Sequence, residues 1–136
     1  MTSREKKEML SKYRAAVREV ERLELEISRW RSKAEKMSAE IHLAPAGGGN
    51  GRSMENAIAK IESLTAKLWD QRAEMVELRN RIGDAISAVS DDRLKDLLRL
   101  RYIEGLTLER IAEDMNYSFR QVTRMHGQAL EKIKMS

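Results

Sequence analysis

Ser90 to Lys134 reads S-D-D-R-L-K-D-L-L-R-L-R-Y-I-E-G-L-T-L-E-R-I-A-E-D-M-N-Y-S-F-R-Q-V-T-R-M-H-G-Q-A-L-E-K-I-K, and three helices separated by two stop signals follow from it. Ser90 offers a capping oxygen, and Asp91 and Asp92 stand at the positive end of the first helix dipole. Leu94, Leu97, Leu98, Tyr102 and Ile103 then recur at core spacing until Gly105, a residue suited to the left-handed position that ends a helix. Thr107 caps a short second helix, Leu108 to Met115, with Leu108, Ile111, Ala112 and Met115 facing inward. Asn116, Tyr117 and Ser118 form the turn, where asparagine tolerates the left-handed backbone. Ser118 opens S-F-R-Q, a capping box closed by Gln121. The third helix runs from Phe119 to about Lys134, with Val122, Met125, Ala129, Leu130 and Ile133 as its inner face.

Helix, tight turn, helix, behind a support helix, is the layout of helix-turn-helix proteins. Arg120, Thr123, Arg124 and Gly127 project together, opposite Val122 and Ala129. Two arginines four residues apart cost an isolated helix about 0.2–0.5 kcal/mol, a cost that an anionic partner offsets. Arginine also pairs bidentately with guanine, and threonine touches a thymine methyl or a base edge. Gly127 is about 1 kcal/mol worse than alanine in a helix, and on this face it lets the backbone approach a groove wall; the alternative is a solvated face with a tolerated glycine. Phosphate positioning falls to the capped helix starts at Thr107 and Ser118, with Gln121 beside the latter. Gln128, Lys132 and His126 add to that set, although His126 could equally pack against the support helix.

Upstream, two longer stripes precede this segment. From Ser3 to Leu43, Leu10, Tyr13, Val17, Val20, Leu23, Ile27, Trp30, Ala34, Met37 and Ile41 recur in steps of three and four, the signature of one amphipathic helix. Ala44 to Ser53, APAGGGNGRS, combines the single proline with four glycines and interrupts it. No strand precedes this loop and no GK[ST] follows, which argues against phosphate binding. Ser53 is placed to cap a second long helix over residues 54–89, with Met54, Ile58, Ile61, Leu64, Leu68, Met75, Leu78, Ile82, Ala85 and Val89 on its stripe. The expected fold is all-α: a long N-terminal helical hairpin or coiled coil, paired within or between chains, then a three-helix C-terminal module from residue 90 onward. Trp30 and Trp69 fall on or beside the stripes and are expected to pack in the core or an interface.

Composition agrees. Charged residues make up 35% and aromatics 4% of 136 residues, a balance that suits solvated helices and leaves little room for an enclosed substrate pocket. Without cysteine there are no disulfides, thiolate zinc sites or cysteine nucleophiles. His42 and His126 lie far apart, so no metal and no cofactor is expected. The acidic residues are scattered along helical faces, which argues against an enzyme. A net charge of +4 permits nucleic-acid binding without demanding it. The excess is concentrated in the first 52 residues, with 12 Lys/Arg against 8 Asp/Glu, and from Phe119 onward, with 4 against 1. There is no long apolar run or signal-peptide core, so a soluble cytoplasmic protein with no membrane contact is expected.

Arg93 to Lys134 resembles region 4 of bacterial sigma-70 factors, the part that recognises the promoter −35 element. The shared residues are L-R-Y-x-E-G-x-T-L at Leu100–Leu108, Ile111-Ala112, Ser118, Val122, Ala129-Leu130 and Lys132. The whole layout, with R-x-H-G-x-A-L at Arg124–Leu130, is similar to small phage-encoded transcriptional regulators of the sigma-like ArpU/RinA type. The resemblance implies double-stranded DNA as partner, with Phe119, Arg120, Thr123 and Arg124 at the base-reading positions. His126 stands where sigma factors usually carry glutamate and Asn116 where they carry glycine, so an ordinary −35 sequence is not the expected target. Nothing resembles sigma region 2, so a complete sigma factor is not expected. The N-terminal helices are expected to make a homo-oligomer, preferably a dimer, or to present a surface to host RNA polymerase. Two rival readings are a DNA-packaging protein resembling a small terminase subunit and a protein-interaction adaptor of the transcription machinery.

Overall fold

The structure is a computed structural model that describes residues 1–43 and 50–135, with side chains for all of these except 41–43 and 50. The side chains of Ile41 and His42, and residues 44–49 of the glycine-rich loop, lie outside what is described. Five helices follow in order: α1 (Ser3–Leu43), α2 (Asn50–Ser87), α3 (Asp92–Tyr102), α4 (Leu108–Met115) and α5 (Phe119–Lys132). The fold is all-α, as the periodicity predicts. No helix among the described residues is long and apolar enough to cross a membrane.

The chain divides into two compact units, and both long helices are shared between them. One unit joins Met1–Val17 to the chain from Glu74 onward; the other is Arg18–Ala73. In the first, Leu10 of α1 and Ile82 and Ile86 of α2 enter one core with Leu94, Leu97, Leu98 and Tyr102 of α3, Ile111 and Ala112 of α4, and Val122, Met125, Ala129 and Leu130 of α5. Leu10, Ile82, Leu97, Leu98, Ile111, Val122 and Ala129 are completely enclosed. Each fully buried aliphatic side chain contributes about 1.5–3 kcal/mol, so this core is what holds the three short helices in place.

In the second unit, Val20, Leu23 and Ile27 of α1 and Ala57, Leu64 and Leu68 of α2 are buried. Arg72 reaches Glu24 across the two helices at 3.3 Å. Pairing is therefore within the chain, and antiparallel.

Local chemistry corrects three details. Asp91, not Ser90, is the N-cap of α3: its Oδ1 accepts from the N–H groups of Arg93 (3.0 Å) and Leu94 (3.3 Å), a carboxylate serving both the capping and the dipole roles. Helix α2 begins at Asn50, so Ser53 lies inside its first turn and does not cap it. Ile58 is 47% exposed while Ala57 is enclosed. With α1 as its only facing partner in this unit, α2 presents a narrow row, and its phase is set by that partner.

Candidate nucleic-acid interface

The α4–turn–α5 segment is built by backbone chemistry written into its sequence. Thr107 Oγ1 accepts from Arg110 N–H at 3.2 Å, and Ser118 Oγ from Gln121 N–H at 3.1 Å. Gln121 responds with its backbone N–H alone, so only half of the capping box forms. Asn116 takes φ 59°, and Gly105 φ +78° before the α4 cap. Both conformations are costly for most L-residues and cheap for these two. The helices α3, α4 and α5 pack on one another, and α5 presents one face to the core and the opposite face to water.

That outward face carries Phe119, Arg120, Thr123, Arg124 and Gly127, all exposed. Phe119 is 49% exposed, an apolar ring held in water at the first position of the helix. Arg120 and Arg124 have no hydrogen-bond or ion-pair partner among the described residues. Their guanidinium donors are therefore uncommitted, whereas Arg110 of α4 is paired with Asp114 at 3.3 Å. Thr123 donates its hydroxyl to Phe119 O at 2.9 Å, which leaves its oxygen free to accept. A Cβ built on Gly127 meets nothing within 4 Å, so no internal packing requires glycine there.

Of the residues expected to position phosphate, Thr107, Ser118, Gln121, Gln128 and Lys132 are exposed. Gln121, Arg124 and Gln128 share a cleft of about 200 Å³ with Arg93 of α3. Asp91 and Leu94 line the same cleft; Arg93 is not legible as part of this surface because the helix across the cleft begins 26 residues later. Its Nη1 donates to the Tyr117 hydroxyl at 3.5 Å, tying the start of α3 to the turn.

His126 does not belong to the exposed set. It is 9% exposed; its Nε2 shares a hydrogen bond of 2.6 Å with the Tyr102 hydroxyl, and the two rings stack with centroids 5.8 Å apart. Burial lowers the imidazole pKa to about 4, with Lys7 and Arg101 adding repulsion, and burial raises the Tyr102 hydroxyl to about 12. Both are neutral at pH 7. A neutral, enclosed ring packed on α3 is not a phosphate contact; of the two roles open to His126, packing on the support helix is the one the structure shows.

Two basic residues of α1 act on this module from positions that local sequence does not reveal, and a third, Arg101, acts from within it. Lys6 Nζ donates to the carbonyls of Leu130 (3.0 Å) and Glu131 (3.2 Å), supplying donors to the last turn of α5. Arg14 Nη1 donates to Ile103 O at 3.5 Å and lies against Gly105, where a Cβ would fall 2.5 Å from its Nε. Arg101 Nη1 donates to Leu106 O at 2.9 Å. Together they fix the end of α5 and the α3–α4 connection.

A capped short helix, a left-handed turn and a second capped helix with an uncommitted basic face define a helix-turn-helix. Residues 91–135 match the family sigma-70, region 4, so this segment is a sigma-70 region 4-like helix-turn-helix. No curated protein and no solved structure matches the chain. No group of three or more His, Asp or Glu able to hold a metal ion occurs among the described residues.

Proposed function

We propose that the chain is a sequence-specific DNA-binding regulator of transcription, and not an enzyme. α5 lies in the major groove, and the N-terminal helices serve oligomerisation or polymerase contact. The observation that carries this reading is the face of α5: two unpaired arginines one turn apart, a threonine whose oxygen can still accept, and a glycine with open space above it, on a helix held rigidly by its opposite side. Arg120 and Arg124 supply bidentate donors to guanine, Thr123 accepts from a base amino group, and Phe119 offers contact to a thymine methyl. Arg93, Gln121 and Gln128 line the flank where a phosphate backbone would pass, and Thr107, Ser118 and Lys132 complete the positioning contacts.

The match to sigma-70, region 4 supports the DNA-binding part of this reading. The R-x-H-G-x-A-L string at Arg124–Leu130 supports the finer assignment to phage or prophage regulators of the ArpU/RinA type, acting in the cytoplasm of a bacterial host. One such helix covers only a few base pairs, so useful affinity requires two modules on a repeated or inverted site.

Affinity measured on duplex DNA across a range of salt tests the proposal. Binding should weaken steeply with salt, because phosphate contacts release counterions. Affinity indifferent to salt, with the protein folded, would overturn it.

A further inference from the structure

The outward face of α5 divides lengthwise. Residues four apart stand about 40° from each other around a helix axis, and successive residues about 100°. Phe119 and Thr123 therefore form one edge of the face, and Arg120 and Arg124 the other. Arg124 lines the cleft that Arg93, Gln121 and Gln128 share, and neither Phe119 nor Thr123 is among its lining residues.

The two edges carry opposite hydrogen-bonding equipment. Arg120 and Arg124 bring guanidinium donors. At the other edge no side-chain donor is left: Phe119 has none, and the Thr123 hydroxyl gives its hydrogen to the Phe119 carbonyl at 2.9 Å. This edge cannot bond to O4 of thymine, or to N7 and O6 of guanine, because all three are acceptors. What it offers is an aromatic ring, and the apolar group that the major groove presents to a ring is a methyl on C5 of a pyrimidine. The ring is available for it. From residue 90 onward Phe119 is the one exposed large hydrophobic side chain among the described residues, and it is absent from those packed against the core. It stands at the start of the helix, where helix-turn-helix proteins meet base edges.

We infer that Phe119 reads a 5-methylpyrimidine through its methyl group, so that thymine and 5-methylcytosine are both accepted at one position, and uracil and unmodified cytosine are bound more weakly. The Thr123 oxygen suits both base pairs: it can accept from N6 of the adenine paired with thymine, or from N4 of 5-methylcytosine. Methylation of a cytosine at this position therefore raises affinity for the site, a mark that the arginine edge does not sense. The inference rests on the DNA-reading proposal and adds the chemical group by which one base is chosen.

Selection from two randomised duplex pools tests it, with the full-length wild type beside Phe119→Ala and Phe119→Leu variants. One pool carries the ordinary four bases. In the other, uracil replaces thymine and 5-methylcytosine replaces cytosine, which moves the methyl group from one pyrimidine to the other. The wild type should enrich thymine at one motif position in the first pool and 5-methylcytosine at that position in the second. Each should exceed the pyrimidine without a methyl by about fourfold, the ratio that burying one methyl group gives. Guanines chosen by Arg120 and Arg124 should be the same in both pools. Phe119→Ala should lose the pyrimidine preference alone, and Phe119→Leu should keep part of it. Single replacements in the selected duplex, thymine by uracil and cytosine by 5-methylcytosine, measure the two sources of the methyl separately. A preference that passes from thymine to uracil, one that Phe119→Ala leaves unchanged, or a motif with no such pyrimidine overturns the inference and leaves DNA reading intact. Enrichment of no motif by a folded wild type overturns DNA reading, and the inference with it.

Discussion

The two compact units differ in how many sides of a helix find a partner. In the helix-turn-helix unit, α5 is packed by α3 and α4, and its last turn receives a lysine from α1. Every inward position of α5 is consequently buried, and its outward face is sharply defined. Between Arg18 and Ala73 each helix meets only one other, so a single row per helix is enclosed and Ile58 and Trp69 remain in water. An amphipathic pattern establishes that a helix buries a face, whereas the number of partners decides how much of that face is used. The aromatic residues separate along the same line. Trp30 and Trp69 fall in Arg18–Ala73, and Tyr13, Tyr102 and Tyr117 fall in the other unit. Tryptophan fluorescence thus reports one region and tyrosine near-ultraviolet dichroism the other.

Core truncation gives the largest contrast. Leu98→Ala, at a fully enclosed position, should cost about 2–5 kcal/mol and lower the denaturant midpoint of the tyrosine signal. Leu23→Ala, 1% exposed in the two-helix seam, should fall at or below the low end of that range, because a thin seam collapses more readily around the gap. A greater loss at Leu23 would break the comparison.

Acid should separate the regions next. His126 is held at about pKa 4 by burial, against an ordinary value of 6.5. The unfolded chain therefore binds a proton between these values that the folded chain does not. Stability is full above pH 6.5 and falls as pH drops toward 4, by up to about 3 kcal/mol. The loss should appear in the tyrosine signal and be diminished in His126→Gln. An undiminished acid loss in that variant would place its origin elsewhere.

A smaller effect belongs to Lys6. Lys6→Met removes two hydrogen bonds from the end of α5 and should destabilise the tyrosine-reported unit by about 1 kcal/mol, with the tryptophan signal unmoved. The smallest has the opposite sign. Gly127→Ala should stabilise α5 by about 0.5–1 kcal/mol, since nothing obstructs the added methyl. If the glycine serves close approach to DNA, the same variant binds DNA more weakly despite its higher melting temperature.

What was legible in the sequence follows from the range of the forces involved. Thr107, Asn116 and Ser118 act on backbone within a few residues of themselves and perform the roles their chemistry predicts; Gly105 takes its left-handed φ, but two residues beyond Ile103, which is the C-cap of α3. Ser90 yielded to Asp91 because adjacent residues both offer capping oxygens, and only the backbone decides between them. The phase of α2 at Ala57 and Ile58 depends on α1, which faces it across the intervening loop. The side chain of His126 could have turned to solvent or core, and Tyr102, 24 residues away, fixes it. Lys6 at the end of α5 has no local sign at all, its acceptors being 124 and 125 residues distant.

The central claim is that the exposed face of α5 reads DNA. Selection from a randomised duplex pool tests it most directly, with wild type beside the Arg120→Ala/Arg124→Ala chain and light-scattering mass on the same samples. The account predicts enrichment of a repeated or inverted motif by the wild type and loss of that enrichment in an equally folded double variant. No enrichment by a folded wild type, or the same motif selected by the double variant, would contradict it.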